Sequence, residues 1–184
     1  MKIEPTLIPD VKIIEPARHG DERGFLSEVF KLSALREAGL PTEWNQDNHS
    51  RSAAPFTIRG LHFQAPPFAQ AKLVRVTRGR ILDVAVDLRR SSPTYGRHVA
   101  VELSEQNWRQ ALIPVGFAHG FCTLEPETEV QYKVTAEYNP AYDFGVLWSD
   151  GDLAIDWPVS PAKAIVSAKD RTLPAFKSLP TYFE

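Results

Sequence analysis

The sequence predicts a mainly β chain, closed into a small barrel or sandwich around a cavity, with only a few short helices. Three observations carry that expectation. Short segments of alternating polarity recur along the chain, and turn residues separate them. Fifteen prolines stand against ten glycines, which suits a chain of many turns better than a helical bundle. Helix signals are few.

Taken in order, Ser33 is expected to cap a short helix through Leu35 and Ala38, stopped by Gly39 and Pro41. Arg59-Gly60-Leu61-His62-Phe63-Gln64 reads as a β-like stretch, and Thr77-Arg78-Gly79-Arg80 as a tight glycine turn between two strands. From Ile81 to Leu88 the alternation puts Leu82, Val84, Val86 and Leu88 on one face. Ser91-Ser92-Pro93-Thr94 closes that run. His98 to Leu103 alternates again, as does Thr128 to Thr135, where Val130, Tyr132 and Val134 share a face. Barrels of this size enclose a space for one small ligand.

At 184 residues, 43% of them hydrophobic, the chain has material for one core, and residues 1–184 are expected to form a single domain. Twenty-one basic and 23 acidic residues nearly balance, with no block of like charge, which argues against a nucleic-acid surface. No apolar run is long enough to span a membrane, and the start, Met1-Lys2-Ile3-Glu4-Pro5, has no signal pattern. The cytoplasm is the expected compartment. The single cysteine, Cys122, forms no intramolecular disulfide and reads as a small buried hydrophobe.

Five histidines, His19, His49, His62, His98 and His119, are the first candidates for chemistry. His98 reads as a core residue and His19, between Arg18 and Asp21, as solvated. Pro114-x-Gly-x-x-His119 resembles the second short motif of the cupin superfamily, small β-barrels of the jelly-roll type. Metal-binding cupins add two histidines one residue apart and a glutamate. Here that place reads His62-Phe63-Gln64 with no glutamate following, so neither metal nor cofactor is expected.

A longer series of motifs narrows the resemblance. It comprises Asp21-x-Arg23-Gly24-Phe25, Gln46-Asp47-Asn48-His49-Ser50, Arg59 to Gln64 and Gln70 to Val76. Asp87-Leu88-Arg89, Ser92-Pro93-Thr94-x-Gly96, Gly116 to Phe121, Tyr132-Lys133 and Lys169-Asp170 continue it. From about Asp21 to Pro174 the chain is similar to the dTDP-4-dehydrorhamnose 3,5-epimerase family, with the motifs in the family's order. The resemblance implies a cupin-like jelly roll, a homodimer, and inversion of C3 and C5 of dTDP-4-dehydro-6-deoxy-D-glucose in dTDP-L-rhamnose biosynthesis. It also leaves open inversion at C3 or C5 alone, for another deoxysugar.

The chemistry explains the residue types. A 4-keto group acidifies the neighbouring C–H bonds, so inversion needs a base, a group to hold the enolate, and an acid on the opposite face. The resemblance implies His62 as base, Asp170 as the carboxylate that fixes its tautomer, Lys72 as the enolate stabiliser and Tyr132 as proton donor. By residue alone, Lys72 also fits a snorkelling strand-end lysine and Tyr132 a core aromatic. Arg23 and Arg59 are implied for the diphosphate, with Phe25, Glu28, Gln46 and Asn48 at nucleotide or sugar contacts. His119, Asp143 and Lys169 fall at family binding positions, and Tyr138 is a candidate to stack on the thymine. Arg75, Arg78 and Arg80 read as solvated charges.

Strict alternation would put Arg59 and His62 on opposite faces. If both meet one ligand, Gly60 is expected at a bulge that re-aims the strand. The chain also departs from the family pattern at Leu26, Phe63, Asp143, Ser149-Asp150-Gly151 and Ser52 to Ile58.

Overall fold

Strands dominate because each alternating segment has one face to bury. The computed structural model describes residues 1–184. In order come β1 (Lys2–Pro5), β2 (Lys12–Glu15), β3 (Arg18–Asp21), β4 (Gly24–Ser27), α1 (Leu32–Glu37), β5 (Gln46–Ser52) and β6 (Thr57–Gln64). Then follow β7 (Lys72–Arg78), β8 (Arg80–Asp87), β9 (His98–Ser104), β10 (Gln110–Ile113), β11 (Phe117–Thr123) and β12 (Thr128–Val134). The chain closes with β13 (Asp143–Gly145), β14 (Ile165–Val166), α2 (Ala168–Arg171) and a 3-10 turn, Phe176–Ser178.

One sheet has the order β1-β2-β10-β7-β12-β5 and the other β13-β6-β11-β8-β9, with β14 added in parallel beside β6. The sheets face each other. Val74, Val76 and Val130 of the first pack against Ile81, Ala85, Leu103 and Phe121 of the second. Each of the valine, isoleucine, leucine and phenylalanine side chains contributes about 1.5–3 kcal/mol by leaving water. This two-layered jelly roll agrees with the mainly β expectation.

The turn at Gly79 does not close a hairpin. It carries the chain from β7 in one sheet to β8 in the other. Gly79 has φ +77°, and a Cβ there would come 2.5 Å from Thr128 Oγ1, so the crossing requires glycine.

Both faces of β8 are covered. Leu82, Val84, Val86 and Leu88 share a face as the alternation predicts, but they pack outward, under Leu153 and Phe183 of the C-terminal segment. The opposite face, with Ile81 and Ala85, looks into the sandwich. Asp83 lies on that inward face, only 2% exposed.

The helix expectation needs correction at its start. Ser33 lies inside α1, whose N-cap is Lys31 without a side-chain bond, while Gly39 follows the helix at φ +67°. Local burial of Leu35 overrides the capping signal. Cys122 is free and fully buried, and burial pushes its thiol up to about 11.

Gly60 forms the bulge. His62 pairs with His119 and Arg59 with Phe121, so two residues of β6, Gly60 and Leu61, oppose the single Gly120. Gly60 has φ +115°, and a Cβ there would lie 2.7 Å from Gly120 Cα and from the His119 carbonyl oxygen. The extra residue rotates the strand, and Arg59 and His62 line one cavity.

Candidate active site

Alternation on the two sheets sets up the site. On β7, Lys72 shares the inward face with Val74 and Val76; on β12, Tyr132 continues the face that carries Val130. From the other sheet, His62 on β6 and His119 on β11 point the same way. These four, with Arg59, Lys169 and Asp170, line a cavity of about 500 Å³, large enough for a small ligand.

His62 Nε2 meets Asp170 Oδ1 at 2.8 Å. Asp170 is 4% exposed, accepts the Gly60 N–H at 3.1 Å, and its own N–H donates to Ser167 Oγ, the N-cap of α2. Burial by itself would raise the Asp170 carboxyl. The hydrogen bond and charge of His62 and the two hydrogen bonds to Gly60 and Ser167 hold it below the usual carboxylate range. With the carboxylate accepting a hydrogen bond from Nε2–H, His62 Nδ1 keeps its lone pair as a proton acceptor.

Lys72 is buried, and its Nζ donates to the His62 carbonyl at 3.2 Å. Burial lowers its ammonium to about 8, with the charges of Asp143 and Asp83 resisting. Burial raises the Tyr132 phenol; Arg59 works against that and Asp143 adds to it. A phenol so placed stays protonated through the neutral range. His119 Nε2 lies 2.8 Å from Asp83 Oδ2, both side chains being nearly sealed from solvent. Burial lowers the His119 ring despite the Asp83 carboxylate. Each imidazole thus has a carboxylate of its own, and no three His, Cys, Asp or Glu side chains converge.

The remaining expected residues divide in two. Arg59 donates from Nε to Ser52 Oγ and from Nη2 to the Arg51 carbonyl, which aims its guanidinium at the cavity. Lys169 Nζ meets Asp143 Oδ2 at 2.6 Å, and Tyr138 Oη donates to the same oxygen at 3.0 Å, forming a polar link between β13 and α2. Gln46 Nε2 donates to Asn48 Oδ1, and Asn48 pairs across strands with Tyr132; Gln46, Asn48, Tyr138 and Asp143 adjoin lining residues, directly or through one another, without lining the cavity themselves. Arg23, Phe25 and Glu28 stand apart. β3 and β4 pair only with each other, Arg23 is tied to Asp21, Phe25 packs edge-on against Trp108, and Glu28 pairs with Lys31. None of the three lines the cavity of its own chain.

Asp83 and Ser167 were not singled out by the sequence. An isolated aspartate amid Ile81, Leu82, Val84 and Ala85 was the available signal for Asp83. A smaller hollow of about 240 Å³ lies on the outer face of the first sheet, beside Phe30, Leu73 and Arg75, and lacks the histidine–aspartate pairs.

Comparison with known proteins agrees with this geometry. A family described as dTDP-4-dehydrorhamnose 3,5-epimerase matches residues 5–178. A relative of that name from Sinorhizobium fredii is 47% identical over 100% of this chain and 94% of its own. The crystal structure of the Bacillus anthracis dTDP-4-dehydrorhamnose 3,5-epimerase, with TDP and PPi bound, superposes at TM-score 0.91 with 50% identity, covering 95% of this chain and 98% of that one. That of the Legionella pneumophila dTDP-6-deoxy-D-glucose-3,5-epimerase, in complex with dTDP-4-keto-L-rhamnose, superposes at 0.92 with 43% identity, covering 97% and 94%.

Proposed function

Because the chain belongs to the dTDP-4-dehydrorhamnose 3,5-epimerase family, we propose that its cavity inverts C3 and C5 of dTDP-4-dehydro-6-deoxy-D-glucose to give dTDP-4-dehydro-L-rhamnose. The reaction is an isomerisation: each carbon loses one proton and regains one on the other face. The carrying observation is that His62 and Tyr132 enter one cavity from different sheets, with Lys72 in the same lining. His62 Nδ1 takes the proton from C3 or C5, helped by the Asp170 carboxylate, which stabilises the imidazolium that forms. The Lys72 ammonium meets the charge that develops on the C4 oxygen. Tyr132 returns a proton from the opposite side. Arg59 and Lys169 supply cations for the diphosphate, and His119 a polar contact to the sugar. Gln46, Asn48, Tyr138 and Asp143 complete the nucleotide and sugar contacts in this reading.

Incubation of the chain with the keto-sugar nucleotide in deuterated water tests it. Deuterium at both C3 and C5, with rhamno-configured product, is the expected result. Label at one carbon reduces the activity to a single inversion, and absence of exchange overturns the proposal.

We further propose a homodimer acting in the cytoplasm, where nucleotide-activated sugars form. The dimer is supported by the exposed β3–β4 hairpin: Arg23 and Phe25 on it, and Glu28 just after it, lie outside the lining of their own cavity, as residues offered to a second copy's cavity would. Mixing His62→Ala with Arg23→Ala subunits is expected to restore activity absent from either alone. No recovery under conditions of subunit exchange counts against sharing.

A further inference from the structure

Asp83 is a charged side chain that the proposed proton transfers do not use. Its position on the inward face of β8, 2% exposed, is costly for a carboxylate unless it is compensated. One compensating partner is in place, the His119 ring nitrogen at 2.8 Å. The second is Lys72, a buried ammonium whose Nζ reaches the carbonyl of His62, the cross-strand partner of His119.

We infer that Asp83 is a positioning residue of the epimerase site: its buried carboxylate holds the His119 ring in the Nε2–H tautomer and, beside Asp143, adds countercharge for the Lys72 ammonium. The inference rests on the proposed function for the meaning of Lys72, and on geometry for Asp83 itself. An ionised carboxylate accepts only, so the ring nitrogen beside it carries the proton. His119 Nδ1 is then left as an acceptor, suited to a sugar hydroxyl. Burial disfavours a cationic His119, so the pair with Asp83 leaves the carboxylate's charge to act on the Lys72 ammonium nearby.

Other charges around Lys72 act in the same balance. They are Arg59 and His62 on β6, His119 on β11, Tyr132 on β12, Asp143 on β13, and Lys169 and Asp170 on α2. β10, which also pairs with β7, brings only Ile113 opposite Lys72. Asp143 is shared with Lys169 and Tyr138, and Asp170 with His62. Asp143 already answers the Lys169 ammonium, whereas Asp83 bonds only the uncharged His119 ring.

The test is the pH dependence of kcat in Asp83→Asn, whose amide keeps the shape of the side chain. Loss of the countercharge is expected to move the alkaline limb down by about one pH unit relative to the parent chain. A folded, active variant with an unmoved limb overturns the inference, because a merely structural aspartate would lower activity at every pH alike. Nitrogen-15 NMR of the histidines in the parent chain gives a second reading, independent of turnover and of whether Asp83→Asn folds. It is expected to find His119 protonated on Nε2 and bare on Nδ1 near neutral pH; an Nδ1–H ring or an imidazolium overturns the assignment. Failure of the parent chain to exchange deuterium would instead count against the epimerase reading.

Discussion

His62 and Asp170 are separated by 108 positions in the chain, yet imidazole Nε2 and carboxylate Oδ1 meet at 2.8 Å. The carboxylate also takes the N–H of Gly60, the bulge residue that aims His62. Orientation of the base and the path of the strand therefore depend on one side chain.

Asp170→Asn is expected to lower kcat by about 10²–10⁴-fold, because an amide neither fixes the ring tautomer nor stabilises the imidazolium. Steady-state kinetics with the keto-sugar nucleotide measures it. A change confined to KM would assign Asp170 to binding alone.

Tyr132→Phe separates the two proton transfers. With His62 intact, deuterium is expected to enter the substrate from solvent while inversion is lost, since the returning acid is missing. NMR of recovered sugar nucleotide distinguishes wash-in from product. Normal inversion in Tyr132→Phe would remove the phenol from the mechanism.

The alkaline side of the activity profile belongs to Lys72. Burial places its ammonium at about 8, whereas burial raises the Tyr132 phenol, so the lysine loses its charge first as pH rises. The parent chain is expected to lose kcat through that region. Lys72→Met is expected to be about 10²–10³-fold slower, with no limb there.

The same lysine opposes folding. Its folded value lies below the ordinary lysine range, so its charge destabilises the fold below about 8 and the penalty fades at higher pH. Near neutrality Lys72→Met is expected to be more stable by on the order of 1–3 kcal/mol, read as a raised Tm.

Gly60→Ala tests the bulge. With φ +115° and backbone atoms 2.7 Å from the new Cβ, a loss of about 1–3 kcal/mol is expected. Activity should fall further than stability, since a small displacement of His62 misplaces the base. Parent-like Tm and kcat would contradict the close approach.

How much was legible in advance follows from what is local. Period-2 alternation, a property of adjacent residues, placed Val130 and Tyr132 on one face and Leu82, Val84, Val86 and Leu88 on another. The order of short motifs named the family, and with it His62, Lys72, Tyr132 and Asp170 as candidates. The need to re-aim β6 at Gly60 was also readable, because two candidates fell on opposite faces of one strand.

Which face of β8 looks inward could not be read, since the C-terminal segment covers the other face with apolar contacts equal to those of a core. Alternation alone therefore leaves Asp83 indistinguishable from an ordinary polar position. The isolation of the β3–β4 hairpin, and the Tyr138–Asp143–Lys169 link, likewise required the assembled sandwich. By itself the sequence determined the strand periodicity, the kind of chemistry and the residues able to perform it. Only the tertiary structure decided which of those residues share a cavity and what charge they carry there, because burial and long-range packing set both, and neither is a property of neighbouring residues.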